Sequence, residues 1–226
     1  FCADPLDRAD RERRDGQWIE ARLADPSSRF LAFADMRVLV RHESPAELGW
    51  QDCACLAHLR DGAEPVLLGN LDGAAYFAFD ASGSAGLEEH LKQHPQLVLE
   101  EPRAIATQLS IAQSGLLAHA KSLVDWHARH RFCANCGGST SSRSGGKERR
   151  CAACDAAHFP RTDPVVIMLA EYKDKVLVGR NRHSMQGKFY SALAGFLEVG
   201  ESIEDAVARE LFEEAGVIVT SVRYIT

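Results

Sequence analysis

Residues 195–217 read GFLEVGESIEDAVARELFEEAGV, and the placement of the glutamates in this stretch decides both fold and chemistry. Ser202 followed by Asp205 is a capping-box start and Gly216 a natural stop, so the spacing predicts a helix over Ile203–Ala215. At about 100° per residue, Ile203, Ala206, Val207 and Leu211 share one side of that helix. Glu210 and Glu214 fall inside the same arc, and Glu213 sits at its edge. Carboxylates thus occupy positions that the pattern would give to core. Unpaired buried carboxylates are costly, so the cluster should protonate, pair with cations or bind metal. Three acidic oxygen donors a turn apart suit Mg²⁺ or Mn²⁺ shared with phosphates. The competing reading is a solvated charge run on an exposed helix.

The seven cysteines divide into two groups. Cys133-Ala-Asn-Cys136 and Cys151-Ala-Ala-Cys154 are two C-x₂-C pairs fourteen residues apart, the ligand spacing of a tetrahedral structural Zn²⁺. Disulfides fit poorly in a chain without a secretory signal, and a redox pair would not need a second copy so close by. Four thiolates leave no open position, so the zinc should hold structure. Cys53 and Cys55 read as buried small side chains, and Cys2 is terminal. With the ion already satisfied, His127, His130 and His158 read as packing or surface residues, and His183 as an exposed loop histidine.

At 226 residues, 46% hydrophobic and 26% charged, the chain has room for one large or two small globular domains. A net charge of −6 argues against general, charge-driven nucleic-acid binding but leaves room for a local basic patch. No apolar run reaches membrane-span length and nothing at the start resembles a signal peptide, so the expected setting is cytoplasmic, with no membrane partner. The chain begins at Phe1 and stops nine residues after Val217, so it is expected to be incomplete at both ends.

Short apolar runs at Arg37–Val40, Val66–Leu68 and Ala75–Phe79, with turn signals at Asp61-Gly62 and Asp72-Gly73, predict a small α+β domain over 1–101. Asp7 to Asp15 reads as a solvated helix. From Pro102 a helical pattern carries Ile105, Leu109, Leu116, Leu117, Ala120, Leu123, Val124 and His127 as a bridge over 102–130. Residues 131–160 hold the cysteine pairs, and the Ser/Gly/basic run Ser139–Arg150 between them reads as a mobile solvated loop. The final segment, 161–226, starts with VVIMLA (165–170) and Lys175–Arg180, which read as buried strands.

Gly195, Glu201, Arg209-Glu210-Leu211, Glu213-Glu214 and Gly216-Val217 match every fixed position of the Nudix box. Trp126, Arg131-Phe132-Cys133 to Gly137, the second cysteine pair, His158-Phe159-Pro160-Arg161 and Asp163-Pro164 then resemble the NADH pyrophosphatase branch of the Nudix hydrolases. This resemblance covers about residues 102–226. Pro5-Leu6-Asp7-Arg8 and Gly69 to Gly73 resemble the variable N-terminal domain of the same branch.

The resemblance implies a loop–helix–loop metal site in an α/β/α sandwich. It implies hydrolysis of NADH and NAD⁺ to nicotinamide mononucleotide and AMP, removal of NAD caps from RNA 5′ ends, and a homodimer. It pairs Arg209 with Glu201, although helical spacing equally allows Glu213. Glu210, Glu213 and Glu214, with the carbonyl of Ala194, would hold Mg²⁺ or Mn²⁺, and Glu214 or a neighbour would act as base. Phe159 matches an aromatic position where a ring can stack on a base. Two departures stand out. The chain ends before the Ser-Gln-Pro-Trp-Pro-Phe-Pro segment that marks the branch, and the stretch Ser144 to Glu148 offers no secure counterpart of a substrate-contacting glutamate. The alternatives are a Nudix enzyme for another nucleoside diphosphate derivative such as ADP-ribose, and a non-catalytic nucleotide-binding module.

Overall fold

Strand β1 (Arg29–Ala34) alternates its side chains between two cores: Leu31 and Phe33 enter one, Phe30, Ala32 and Ala34 the other. This period of two requires a sheet covered on both faces. The computed structural model, which describes residues 4–60, 62–180 and 190–225, shows that arrangement. Cys2, Asp61 and His183 lie outside the described residues. The chain divides into two units, residues 1–160 and 161–226.

In the first unit β1 is joined by β2 (Arg37–Arg41), β3 (Glu47–Leu48), β4 (Val66–Leu71), β5 (Ala74–Asp80) and β6 (Leu97–Glu100). The order is β3-β2-β1-β5-β4, with β6 also pairing β2; β1 and β5 run parallel, Phe30 opposite Phe77, and the other pairs are antiparallel. The β4–β5 turn forms at the expected Asp72-Gly73, both with positive φ, 50° and 83°. That is the hand that matches strand twist. Helices α1 (Gly16–Leu23), α2 (Cys53–Leu59) and α3 (Ala85–Gln93) cover the face bearing Phe30 and Phe77. Helices α4 (Pro102–Ala106) and α5 (Ile111–Arg129) cover the face bearing Leu31 and Phe33.

Three expectations for this unit change. The pattern from Pro102 forms two helices, because the Ser110 side chain caps a new start by accepting from the Gln113 N–H. Leu116, Leu117, Ala120, Leu123 and Val124 are buried in the first core, so α5 is a wall of it. Asp7 to Asp15 is not a solvated helix. Asp7 exchanges backbone hydrogen bonds with Asn70, only Glu12–Arg14 form a 3₁₀ turn, and Arg13 is buried with a guanidinium N–H donating to the Leu67 carbonyl. Cys53 and Cys55 are half-buried at the start of α2 and pack against the second core; burial raises the Cys55 thiol.

Ser139–Arg150 is likewise ordered. Strands β7 (Thr140–Arg143) and β8 (Glu148–Cys151) pair antiparallel, and β9 (Ala157–His158) pairs β8. The tip at Ser144–Gly146 docks on the α+β domain so closely that a Cβ on Gly146 would lie 2.7 Å from the Val66 side chain, and one on Gly145 2.9 Å from Ile19. His127 donates from Nε2 to the Gly146 carbonyl (2.8 Å) and accepts at Nδ1 from Arg149 (2.9 Å), which also binds Thr140. Burial, with the Arg149 charge adding to it, lowers His127 to about 4. The ring is neutral, as its accepting Nδ1 requires.

In the second unit β10 (Val165–Met168) pairs antiparallel with β13 (Leu193–Phe196), and β11 (Glu171–Tyr172) with β12 (Lys175–Val176). Helix α6 (Ile203–Ala215) covers one face through Ala206, Val207 and Leu211 against Val166 and Met168. The apolar run at 165–170 is therefore not buried on both faces: Val165, Ile167 and Leu169 are exposed, as are Val176, Leu177 and Val178. Fold class is mixed α+β, as expected. Among the described residues no helix is long and apolar enough to cross a membrane.

Candidate active site

Helix α6 spans the predicted residues. Both halves of the capping box form: the Ser202 side chain accepts from the Asp205 N–H, and Asp205 accepts from the Ser202 N–H. Gly216 ends the helix at φ 65°. A side chain there would be strained.

Arg209 organises the glutamates. Its Nε and Nη2 donate to the two carboxylate oxygens of Glu201 at 2.6 and 2.9 Å, a fork matched to a carboxylate. Nη1 reaches Glu210 at 2.9 Å and Glu213 at 3.1 Å, and Nη2 also donates to the Phe196 carbonyl at 2.8 Å. Both partners expected for Arg209, Glu201 and Glu213, are therefore engaged. The Arg209 bond, and after it the Glu198 N–H, hold Glu201 down at about 2, and the same carboxylates raise Arg209. One guanidinium thereby ties the loop, β13 and α6 together.

Glu210 is half-buried for a steric reason. A Cβ on Gly195 would lie 1.8 Å from the Glu210 Cδ, so only glycine lets the carboxylate lie against β13. Glu213 and Glu214 are exposed, and Ile203 is 47% exposed, so the apolar arc is narrower than the periodicity implies. The inward reading holds in part for Glu210 and fails for Glu214. Glu214 makes no ion pair or hydrogen bond among the described residues, whereas Glu210 and Glu213 share Arg209. Ala194, on β13 opposite Ile167, is exposed next to Gly195. Among the described residues the glutamates do not converge into a group of three potential metal ligands: Glu210 and Glu213 meet on Arg209 and Glu214 stands apart. The donors are of the oxygen type that suits a hard divalent cation, and the gap at Gly195 cradles the most buried of these carboxylates.

The four cysteines of the first unit converge. Their sulfurs lie within 4.8 Å of one another, the only such group of potential metal ligands found among the described residues. Cys133 and Cys154 sulfurs are 3.7 Å apart and those of Cys136 and Cys151 3.5 Å. A tetrahedron with Zn–S bonds of about 2.3 Å has edges of about 3.8 Å, so the quartet fits zinc. Disulfides, at about 2 Å, are excluded by the same distances. The Asn135 and Ala153 N–H groups each donate to a sulfur at 3.4 Å. The Ala156 N–H, then Cys136 and Asn135, draw Cys154 down to about 6. Cys136 moves the other way: the Gly138 N–H would lower it, but its bonds to the other three sulfurs push it up to about 12. Sulfurs this crowded cannot all ionise without a cation among them.

Sequence reasoning missed three contacts here. His158 Nε2 lies 3.2 Å from the Cys133 sulfur, so this histidine is a neighbour of the cluster, outside the group of four. The Phe196 carbonyl bound by Arg209 and the Glu198 N–H bound by Glu201 are backbone contacts, to which side-chain identity gives no clue. Phe159 is 61% exposed in the first unit.

Residues 27–126 match the NADH pyrophosphatase-like rudimentary NUDIX domain, 128–159 the NADH pyrophosphatase zinc ribbon domain and 160–226 the NUDIX domain. The chain belongs to the NADH pyrophosphatase branch of the Nudix family. Over 266 aligned residues it is 32% identical to the NAD-capped RNA hydrolase NUDT12 of Homo sapiens, a match covering 100% of this chain and 57% of the relative. It is 35% identical to the NAD-capped RNA hydrolase NudC of Stutzerimonas stutzeri, over 70% of this chain and 54% of that protein. It is 33% identical to the mitochondrial NAD(P)H pyrophosphatase NUDT13 of Homo sapiens, over 66% of this chain and 44% of that protein. The chain thus spans about half the length of the curated relatives it matches. In this chain the zinc-ribbon cysteines lie in the first unit and the Nudix box in the second.

Proposed function

We propose that the chain carries the metal-dependent pyrophosphatase machinery that splits NADH and NAD⁺ into a nicotinamide mononucleotide and AMP, and that the same reaction releases NAD caps from RNA 5′ ends. The observation that carries this reading is the Gly195 gap filled by Glu210, beside the Arg209 fork on Glu201. A bare nucleotide-binding surface needs neither. Relatives named for both activities support the choice of substrate.

A bound Mg²⁺ or Mn²⁺ supplies charge neutralisation for the pyrophosphate and acidifies water. Glu210, Glu213, Glu214 and the Ala194 carbonyl would hold it. Arg209 positions Glu210 and Glu213 and is itself fixed by Glu201. Glu214, without a protein cation, is the carboxylate left to take a further ligand or a proton. Water oxygen bonds to one phosphorus, the bridging oxygen leaves with the other, and the proton released is taken up at a carboxylate. The four cysteines hold one structural Zn²⁺, and a homodimer is the working assembly.

The test is product analysis by chromatography after incubation of NADH, NAD⁺, ADP-ribose and NAD-capped RNA with Mg²⁺ or Mn²⁺, alongside light scattering for the dimer. AMP and nicotinamide mononucleotide should appear together, and from Glu214→Gln they should fall by orders of magnitude. Cleavage of ADP-ribose alone would overturn the substrate assignment.

A further inference from the structure

The first unit carries a cluster of charge that neither the glutamates nor the zinc cysteines use. Its N-terminal turn, α5 and the ribbon hairpin enclose an open cavity of about 390 Å³, lined by Arg8, Arg13, Lys147, His119, Leu123 and Phe159 and closed by Pro160. A neighbouring hollow of about 290 Å³ shares Lys147 and Phe159 and adds Arg14, Ser144 and the carboxylate of Glu148. Three permanent cations line the larger cavity of a chain with a net charge of −6, and no carboxylate lines it. Asp4, bound to Arg8, and Asp10, bound to Lys147 and Arg14, hold these cations without lining the larger cavity.

Arg13 is the decisive member. It is 6% exposed, and its Nε has no hydrogen-bond partner. Its guanidinium donates to the Leu67 carbonyl, and among the described residues no carboxylate lies within ion-pair distance. Burial, and after it the Arg8 charge, lowers its proton affinity, yet a guanidinium does not shed its proton. Asp10 acts on it through space without forming an ion pair, and a buried cation with no direct anionic partner, across a hollow from Arg8 and Lys147, is costly unless a further anion is shared among them. His119, lowered to about 4 by burial and then by Arg8, adds no charge at neutral pH. An exposed ring beside such cations is how single nucleotides are held: charge takes the phosphate and the ring takes the base.

We propose that this cavity is a phosphate site for a ribonucleotide, with Arg13 as the inner cation, Arg8 and Lys147 as the outer pair, and Phe159 as its aromatic wall. It goes beyond the hydrolytic reading and rests on that reading only for choosing a nucleotide over bare phosphate. The ligand is a free mononucleotide or one nucleotide of a single-stranded chain, which share this chemistry.

The experiment is calorimetric titration of the zinc-loaded protein at low salt, without Mg²⁺ or Mn²⁺, using AMP, inorganic phosphate and a short uncapped oligoadenylate. Hydrolysis is assayed separately with metal, so a failed site and a failed enzyme give different results. AMP or the oligonucleotide should bind, and Arg8→Gln with Lys147→Gln should weaken binding tenfold or more, while Lys175→Gln in the second unit changes nothing. If the double variant melts early, Arg8→Gln alone, at a half-exposed position, carries the test. A tighter oligonucleotide whose salt slope drops by roughly 1.4 in the double variant identifies a polynucleotide as the source; equal binding of AMP identifies a free nucleotide. Unchanged affinity in a normally folded variant, or inorganic phosphate binding as tightly as AMP, would overturn the proposal.

Discussion

The zinc ribbon and the glutamate helix both gather groups that become anions, and they manage the charge in opposite ways. In the ribbon four sulfurs converge with only backbone N–H groups, Asn135 and His158 as protein partners. In α6 one arginine serves Glu201, Glu210 and Glu213. The ribbon therefore depends on its ion for shape. The loop–helix takes its shape from its own cation, and under the proposed function an ion would serve it only for chemistry.

The largest effect that sharpens this contrast is expected from Cys133→Ser. Structural zinc is worth on the order of 10 kcal/mol of folding free energy in small domains. Because the ribbon tip is seated on Val66 and Ile19, its loss should lower the melting temperature of the α+β domain as well. Elemental analysis and a circular dichroism melt check this; full stability without zinc would break the comparison.

Next comes Gly195→Ala. The new methyl must displace the Glu210 carboxylate, so turnover should fall about 10²- to 10³-fold, as when a positioned charge is lost, while zinc content stays at one per chain. Steady-state kinetics and metal analysis of one preparation read both halves.

Acid should separate the regions too. His119 and His127 have folded pKa values of about 4 against 6.5 for the free side chain, so the unfolded chain binds more protons in that interval. Their contribution is full above about 6.5 and is lost as pH falls towards 4. Glu201, held at about 2, keeps its contribution above about 4.5 and loses it only as pH falls towards 2. Melts at pH 7, 5.5 and 4.5 should show a fall of several degrees that is smaller in His127→Gln. An equal slope in that variant would remove His127 from the account.

The smallest effect is expected from His158→Ala. Removing a ring nitrogen 3.2 Å from the Cys133 sulfur should weaken zinc about tenfold, as loss of outer partners does at other sites, and a chelator competition measures it.

How legible all this was in the sequence depended on whether the signal was local. The limits of α6 follow from Ser202, Asp205 and Gly216, and the zinc quartet from spacing alone. Arg209 with Glu213 follows from helical geometry, but Arg209 with Glu201 came through the family resemblance, because a loop-to-helix distance is not written in a period. The failures share a cause. Ser144-Gly145-Gly146 looks like a flexible linker, yet its glycines are there for close approach to Val66 and Ile19. Arg13 looks solvated because burial of a cation is a tertiary event. The apolar run at 165–170 conceals which residues face α6, and Glu214 falls outside the helix's buried face because that face is narrow.

The seated ribbon tip has a practical consequence for protein engineering. Hairpin ends rich in Ser and Gly are the usual places to splice in an epitope, a fluorophore site or a circular-permutation break. Here the sequence advertises residues 144–146 for that purpose, and the molecule resists it: a Cβ on Gly146 would press on the Val66 side chain and one on Gly145 on Ile19. The turn at Asp72-Gly73 has open space around it, a Cβ on Gly73 meeting nothing within 4 Å, although the φ of 83° there still calls for glycine.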